Sequence, residues 1–81
     1  MNERQNKANS LGSRIRHRRR QEGYKLVEFA EKCGISSSFL SQIERDQANP
    51  SISTLHDIAA VLGVPLAFFF ASQEDSRKNG F

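Results

Sequence analysis

The segment "EFAEKCGISSSFLSQIER" (residues 28–45) contains two short stretches with helical periodicity, separated by a single glycine. The first begins two residues earlier, and its apolar residues recur at the spacing of one helix face: Leu26, Phe29, Ala30 and Cys33. Gly34 can take the left-handed conformation that ends a helix, and Ser36 can cap the next one. The segment therefore predicts two helices joined by a tight turn.

The second of these helices has an apolar side and a polar side. The apolar side is formed by three residues that lie together on a helical wheel: Phe39, Leu40 and Ile43. The opposite side carries five polar residues: Ser37, Ser38, Ser41, Gln42 and Arg45. This polar side has a single charge although the chain around it is basic, so it offers hydrogen-bonding groups of small size.

Three further helices are predicted around this pair, over about 10–22, 52–62 and 65–71. A glycine follows each of the first two, and Pro65 suits the first position of the last. Pro50 prevents any helix from continuing through the turn-rich "DQANPS" that precedes residue 52. Since no strand pattern accompanies these stretches, the sequence predicts an all-α domain of five helices.

The chain has 81 residues, which is enough for one small domain. We predict that this domain covers 10–71, between a disordered N-terminal tail (1–9) and a flexible tail or linker start (72–81). One cysteine and two histidines cannot form a structural zinc site, and no nucleophile and base are placed as a catalytic pair. No apolar run has the length of a membrane span. These features predict a cytoplasmic protein that is not an enzyme and has no cofactor.

Positive charge is concentrated in one run, "RIRHRRR" (residues 14–20), where every residue except Ile15 is Arg or His. The net charge of the whole chain is only +3, too small an excess to prove a polyanionic partner. The run fits a solvated helix face with a few salt bridges as well as it fits a nucleic-acid patch. Charge alone therefore leaves both interpretations open.

Residues 11–70 closely resemble the Xre/Cro/lambda-repressor-like helix-turn-helix family. The matching motifs are "EFAEKCGISSSFLSQIER", "NPSISTL" and "AAVLGVPL". The resemblance implies a five-helix lambda-repressor-like DNA-binding domain in a regulator, usually a repressor, associated with the nucleoid. It also implies sequence-specific binding of double-stranded operator DNA by a homodimer, through a recognition helix near 36–45.

The resemblance further implies which side chains contact DNA. Residues at positions that face base edges and nearby phosphates are Ser37, Ser38, Ser41 and Gln42. Among them Gln42 can pair bidentately with adenine. Residues placed where the family holds phosphates are Lys25, Arg45 and Asn49. Arg19 and Glu44 match positions that pair with each other across the fold, which is a structural role.

Three residues depart from the family pattern. Arg18 replaces an apolar residue, Lys25 replaces a Ser or Thr that caps the second helix, and Asp46 stands where Gly or Asn is common. None of these changes removes the motif. They bear on local stability and on the details of phosphate contact.

The segment "LAFFFA" (66–71) is unusually aromatic. If it is α-helical, Leu66, Phe69 and Phe70 face the core and Phe68 points away from it. A small domain gains little from leaving an aromatic ring in water, so we expect Phe68 to lie in the dimer interface or against a missing domain.

Two further alternatives concern partners. The chain could instead be an antitoxin-type or other protein-interaction module whose DNA binding is secondary. A C-terminal sensor domain, as in a longer regulator, or a separate protein partner would also be compatible with the sequence.

Overall fold

The computed structural model describes residues 10–70, and within that range it contains four α-helices followed by one 3-10 helix. The α-helices are α1 (Leu11–Gln21), α2 (Leu26–Cys33), α3 (Ser37–Glu44) and α4 (Ile52–Leu62). The 3-10 helix is η1 (Leu66–Phe69). Residues 10–70 include no strand, which confirms the all-α class for this range. The predicted tails at 1–9 and 72–81 lie outside the described residues.

The predicted fifth α-helix is wrong, because η1 is a single turn of 3-10 helix. Its hydrogen bonds join residues three apart: the amide of Phe68 donates to the Pro65 carbonyl, and the amide of Phe70 to the Ala67 carbonyl, both at 2.9 Å. Three consecutive phenylalanines favour a helix only weakly, since aromatic side chains lose rotamer freedom against the preceding turn. Short 3-10 turns are common in such connecting and terminal segments.

This change of helix type also changes which rings face the core. With three residues per turn, residues at i and i+3 share a face, so Phe69 lies below Leu66. Phe69 is 3% exposed, whereas Phe70 is 54% exposed. Phe68 is half-buried, and its ring meets that of Phe69 edge-on at 5.6 Å. The expectation that Phe70 fills the core and Phe68 points away is therefore wrong.

Serine hydroxyls begin three of the four α-helices. Ser10, Ser36 and Ser51 each accept a hydrogen bond from the backbone amide three residues later, at 3.0–3.1 Å. Between α2 and α3, Gly34 has φ 77°, and the amide of Ile35 donates to the Ala30 carbonyl at 3.0 Å. These bonds satisfy polar groups that helix ends leave unpaired. The predicted helix, turn and helix are confirmed.

Within residues 10–70 the core takes apolar side chains from all five elements, and eleven of them are buried. They are Ile15, Phe29, Ala30, Cys33, Leu40, Ile43, Leu55, Ile58, Ala59, Leu62 and Phe69. Of the three residues predicted on the apolar side of α3, Leu40 and Ile43 are among the least exposed, and Phe39 is half-buried against the core. The apolar side of α3 is thus held inside the domain, and its polar side is left at the surface.

A close contact joins the start of α1 to the end of α3. Gly12 is buried, and a methyl group added there would overlap the carbonyl oxygen of Ile43 and lie 2.7 Å from that of Glu44. Beside it, the Asp46 carboxylate accepts hydrogen bonds from the Gly12 amide at 3.1 Å and the Ser10 hydroxyl at 2.7 Å. Asp46 is left-handed, with φ 61°. Its side chain thus caps α1 from across the fold, which a glycine could not do.

Gly12→Ala is expected to destabilise the domain by about 2 kcal/mol or more in urea unfolding. Helix propensity alone would favour alanine by about 1 kcal/mol. Overpacking against backbone that cannot move aside typically costs about 1–3 kcal/mol and sometimes more, so we expect the overlap to prevail. The control is Ala60→Gly at an exposed site of α4, which should cost about 1 kcal/mol from propensity alone. A more stable Gly12→Ala variant would contradict the close contact.

Candidate nucleic-acid interface

The polar side of α3 faces solvent. Ser38, Gln42 and Arg45 are exposed, and Ser37 and Ser41 are half-buried. Within residues 10–70 the side chains of these residues have no hydrogen-bond or ion-pair partner. The hydroxyl that caps the helix belongs to Ser36, whose Oγ accepts from the Phe39 amide at 3.0 Å. The neighbouring serines therefore keep their hydrogen-bonding capacity for an external partner.

A buried ion pair fixes the far end of this helix. Arg19 Nε lies 2.7 Å from Glu44 Oε2, and a second guanidinium nitrogen, Nη2, donates to Glu44 Oε1 at 3.0 Å. The remaining nitrogen, Nη1, donates to the Tyr24 carbonyl at 2.8 Å. Only 9% of the Arg19 side chain and 4% of the Glu44 side chain are exposed. This geometry confirms the structural role given to the pair and ties α1, α3 and the α1–α2 turn together.

Lys25 occupies the N-cap position of α2 and is exposed. An ammonium group has no acceptor, so it cannot cap the helix as a serine would. One of the backbone amides left unpaired at the start of α2 is satisfied by Glu28, whose Oε1 accepts a hydrogen bond from the Lys25 amide at 3.2 Å. The Lys25 charge consequently remains at the surface beside the start of α2.

Arg18 shows how this chain tolerates a cation where the family has an apolar residue. Its guanidinium pairs with Glu22 at 3.1 Å, one turn later on α1, and about a third of the side chain is exposed. The stem can cover the core while the head reaches the surface, as expected for a long basic side chain.

Cys33 is 4% exposed and belongs to the core. Burial, with a smaller effect from the Asp57 charge, raises the pKa of its thiol to about 11. The thiol is therefore protonated at neutral pH, and a protonated, buried thiol is a poor nucleophile. These properties indicate that Cys33 fills space in the core and is poorly suited to sensing oxidants.

Residues 10–70 hold no group of three His, Cys, Asp or Glu side chains that could bind a metal ion. None of the helices in that range is both apolar enough and long enough to span a bilayer.

Together, a glycine turn, a helix locked on one side and an open polar side on the other define a helix-turn-helix domain of the lambda-repressor-like type. The family model HTH_3, "Helix-turn-helix", matches residues 15–69. The chain belongs to this helix-turn-helix family, whose members are DNA-binding transcription regulators and not a class of enzyme.

One similar regulator and two similar solved structures illustrate the relationship. The HTH-type transcriptional regulator SinR of Bacillus licheniformis is 41% identical over 71 residues, which are 86% of this chain and 64% of the regulator. A crystal structure of SinR in complex with DNA matches with a TM-score of 0.71 and 45% identity, over 75% of this chain and 98% of that one. A SinR/SinI protein complex matches with a TM-score of 0.74 and 40% identity, over 82% and 65%. The chain thus spans about two thirds of the length of SinR.

The sequence predicted the residues of α3 but not the role of Asp46, nor that Arg16 and Arg20 are exposed cations of α1 without an ion pair within residues 10–70. Asp46 was recognised only as a departure from the family pattern. Its partners lie 34 and 36 residues away in the chain, so no local signal could have identified them. Arg16 and Arg20 belong to a basic run whose sequence did not show which of its members pair internally.

Glu44→Ala is expected to lower the free energy of unfolding by about 3–5 kcal/mol, because it leaves the Arg19 guanidinium buried without its partner. Glu22→Ala, which breaks the exposed pair with Arg18, should cost no more than about 1 kcal/mol. Both values follow from urea unfolding. Equal, small losses in the two variants would show that the Arg19–Glu44 pair does not hold α3.

Proposed function

We propose that this chain is a sequence-specific DNA-binding transcriptional regulator, most simply a repressor, that binds an operator as a homodimer. In this proposal α3 is the recognition helix and enters the major groove, which is wide enough to admit an α-helix. Binding takes place in the cytoplasm, where the operator DNA is found.

The observation that carries this proposal is the contrast between the two sides of α3. One side is fixed by Leu40, Ile43 and the Arg19–Glu44 pair, and the other presents polar side chains that lack partners within 10–70. A rigid helix with small, unpaired side chains can approach base edges closely without paying to break internal hydrogen bonds. The family membership of residues 15–69 and the DNA complex of a similar SinR chain support the same function.

The proposed contacts divide into two kinds. Gln42 and Ser38, which are exposed, and Ser37, which is half-buried, lie on the polar side of α3 and are proposed to face base edges. The charged or loop residues at the margins, Lys25, Arg45 and Asn49, are proposed to hold phosphates. Phosphate contacts set the position of the domain on the duplex, and base contacts supply sequence specificity.

Gln42→Ala should weaken operator binding by about 1–3 kcal/mol for a bidentate base contact and should hardly affect binding to unrelated DNA. Arg45→Ala should instead weaken binding to both, because a phosphate contact carries no sequence information. Fluorescence anisotropy on two duplexes of equal length at one salt concentration measures both effects. Equal losses on the two duplexes for Gln42→Ala would show that Gln42 does not read bases.

A homodimer is proposed because one recognition helix reads few base pairs, whereas two linked copies read two half-sites. Its interface must lie away from α3. We place it at the aromatic end of the domain, formed by Phe68 and Phe70. Phe70 is the more exposed of the two, and Phe68 is only half-buried, so both rings are available to a second copy.

Phe68→Glu and Phe70→Glu should each shift the protein towards monomer in sedimentation velocity. Phe70 makes the cleaner test because it is outside the core, so Phe70→Glu should leave the helical circular dichroism unchanged. Operator affinity should fall with dimerisation, because the two half-site contacts become independent events. Variants that remain dimeric would place the interface elsewhere on the molecule.

A second candidate function is that of a protein-interaction module, such as an antitoxin, in which DNA binding is secondary. Its support is that a similar chain, SinR, is found in a complex with the SinI protein. A pull-down with the purified product of the adjacent gene tests it. Capture of that protein by a chain that binds no selected operator would favour the second candidate over the first.

A further inference from the structure

An open cleft lies beside α3, between it and the second half of α1. It has a volume of about 200 Å³ and is lined by four arginines, Ser41, Glu44 and Leu26. The arginines are Arg16, Arg19, Arg20 and Arg45. One wall thus comes from α1 and the facing wall from one edge of α3, where Ser41 and Arg45 are neighbours one turn apart.

The cleft concentrates the positive charge of the protein. Four arginines and one glutamate give it a formal charge of +3, which equals the net charge of the whole chain. Arg19 and Glu44 neutralise each other in the buried pair. The three remaining cations, Arg16, Arg20 and Arg45, are exposed and have no ion pair within residues 10–70. The basic run of α1 therefore has two parts, because Arg18 and Arg19 pair internally while Arg16 and Arg20 do not.

The size and lining of the cleft indicate what it can bind. Pockets for small organic ligands usually measure about 300–1,000 Å³ and are mostly apolar. This cleft is smaller than that, and its only apolar side chain is Leu26. Guanidinium groups match phosphate in charge and in the geometry of their donors. Arg16 and Arg20 stand one turn apart, about 6 Å along α1, and therefore form a row that an extended chain of phosphates can follow.

We propose that this cleft is a binding site for sugar–phosphate backbone of the DNA strand that borders the groove occupied by α3. The inference rests on the proposed function and extends it, because it adds Arg16 and Arg20 of α1 to the contacts expected of the helix-turn-helix. Since the same edge of α3 forms a wall of the cleft, a strand that passes Arg45 also passes these two arginines. The interaction is electrostatic and independent of base sequence.

The proposal also changes the role of Ser41. Its side chain lines the cleft together with the arginines, whereas those of Ser37 and Gln42 do not. Ser41 accordingly donates its hydroxyl to a backbone phosphate and does not contact a base. The residue that follows it on the helix, Gln42, remains the principal reader of sequence.

The test compares Arg16→Gln, Arg20→Gln and the double variant with a matched control, Arg18→Gln. All three single variants remove one positive charge from α1, but Arg18 is paired with Glu22 and does not line the cleft. Affinity for the selected operator and for an unrelated duplex of equal length is measured between about 50 and 200 mM salt. Over that range each phosphate contact contributes about a threefold loss of affinity, since the logarithmic slope is about 0.9 per contact.

We expect the slope to fall by about 0.9 per bound copy for each cleft arginine removed, by the same amount on both duplexes. Arg18→Gln should match the wild type. Ser41→Ala should weaken both duplexes by the same factor, without the sequence dependence of Gln42→Ala. Uncharged methylphosphonates at the bordering phosphates should weaken the wild type and leave the double variant unaffected.

Three results would overturn the proposal. If the cleft variants behave like Arg18→Gln while the wild type binds DNA with a steep salt dependence, the cleft inference is wrong and the proposed function stands. Losses restricted to the operator would show that the arginines contact bases. A wild type that binds neither duplex would remove the proposed function and, with it, this inference.

Discussion

The position of α3 depends on one buried ion pair, between Arg19 of α1 and Glu44 at the last turn of α3. Such a pair adds little net stability, because removing two charges from water costs about as much as their attraction returns. Its effect is geometric, since three guanidinium nitrogens are bonded at once to a carboxylate and a turn carbonyl. Gly12 and Asp46 add a second tie at the same end of α3. An eight-residue helix, too short to be stable alone, is thereby fixed at its middle by the core and at its end by polar contacts.

This fixed helix explains the small polar residues with which it faces solvent. Because the core and the ion pair fix the position and orientation of α3, its exposed side is free to contact a partner. We propose that Gln42 contacts bases there and that the small serines permit close approach. Positive charge lies beside this polar side, on Arg16, Arg20 and Arg45. We propose that these three residues hold phosphates. In this proposal affinity and sequence specificity are supplied by neighbouring but separate groups, which is how DNA-binding domains generally divide the two.

The helix-turn-helix was predictable from the sequence because its determinants are local. Periodicity, Gly34 and the capping Ser36 act within a few residues, and the structure confirms all of them. The 3-10 turn at 66–69 was missed because one turn carries too little periodicity to distinguish helix types. The incorrect expectation that Phe70 faces the core followed from that error. The roles of Asp46 and the cleft arginines depend on contacts between distant segments, so neither could be predicted from spacing alone.

Selection of binding sites from a random pool of duplex DNA tests the central claim, that α3 reads sequence as part of a dimer. The account predicts enrichment of an inverted repeat whose half-sites are centred about one helical turn apart, roughly 10–10.5 bp. Each half-site should contain an adenine whose enrichment disappears when Gln42 is replaced by alanine. A pool that remains random after selection with the wild type, or one with the same enriched sequence for both proteins, would contradict it.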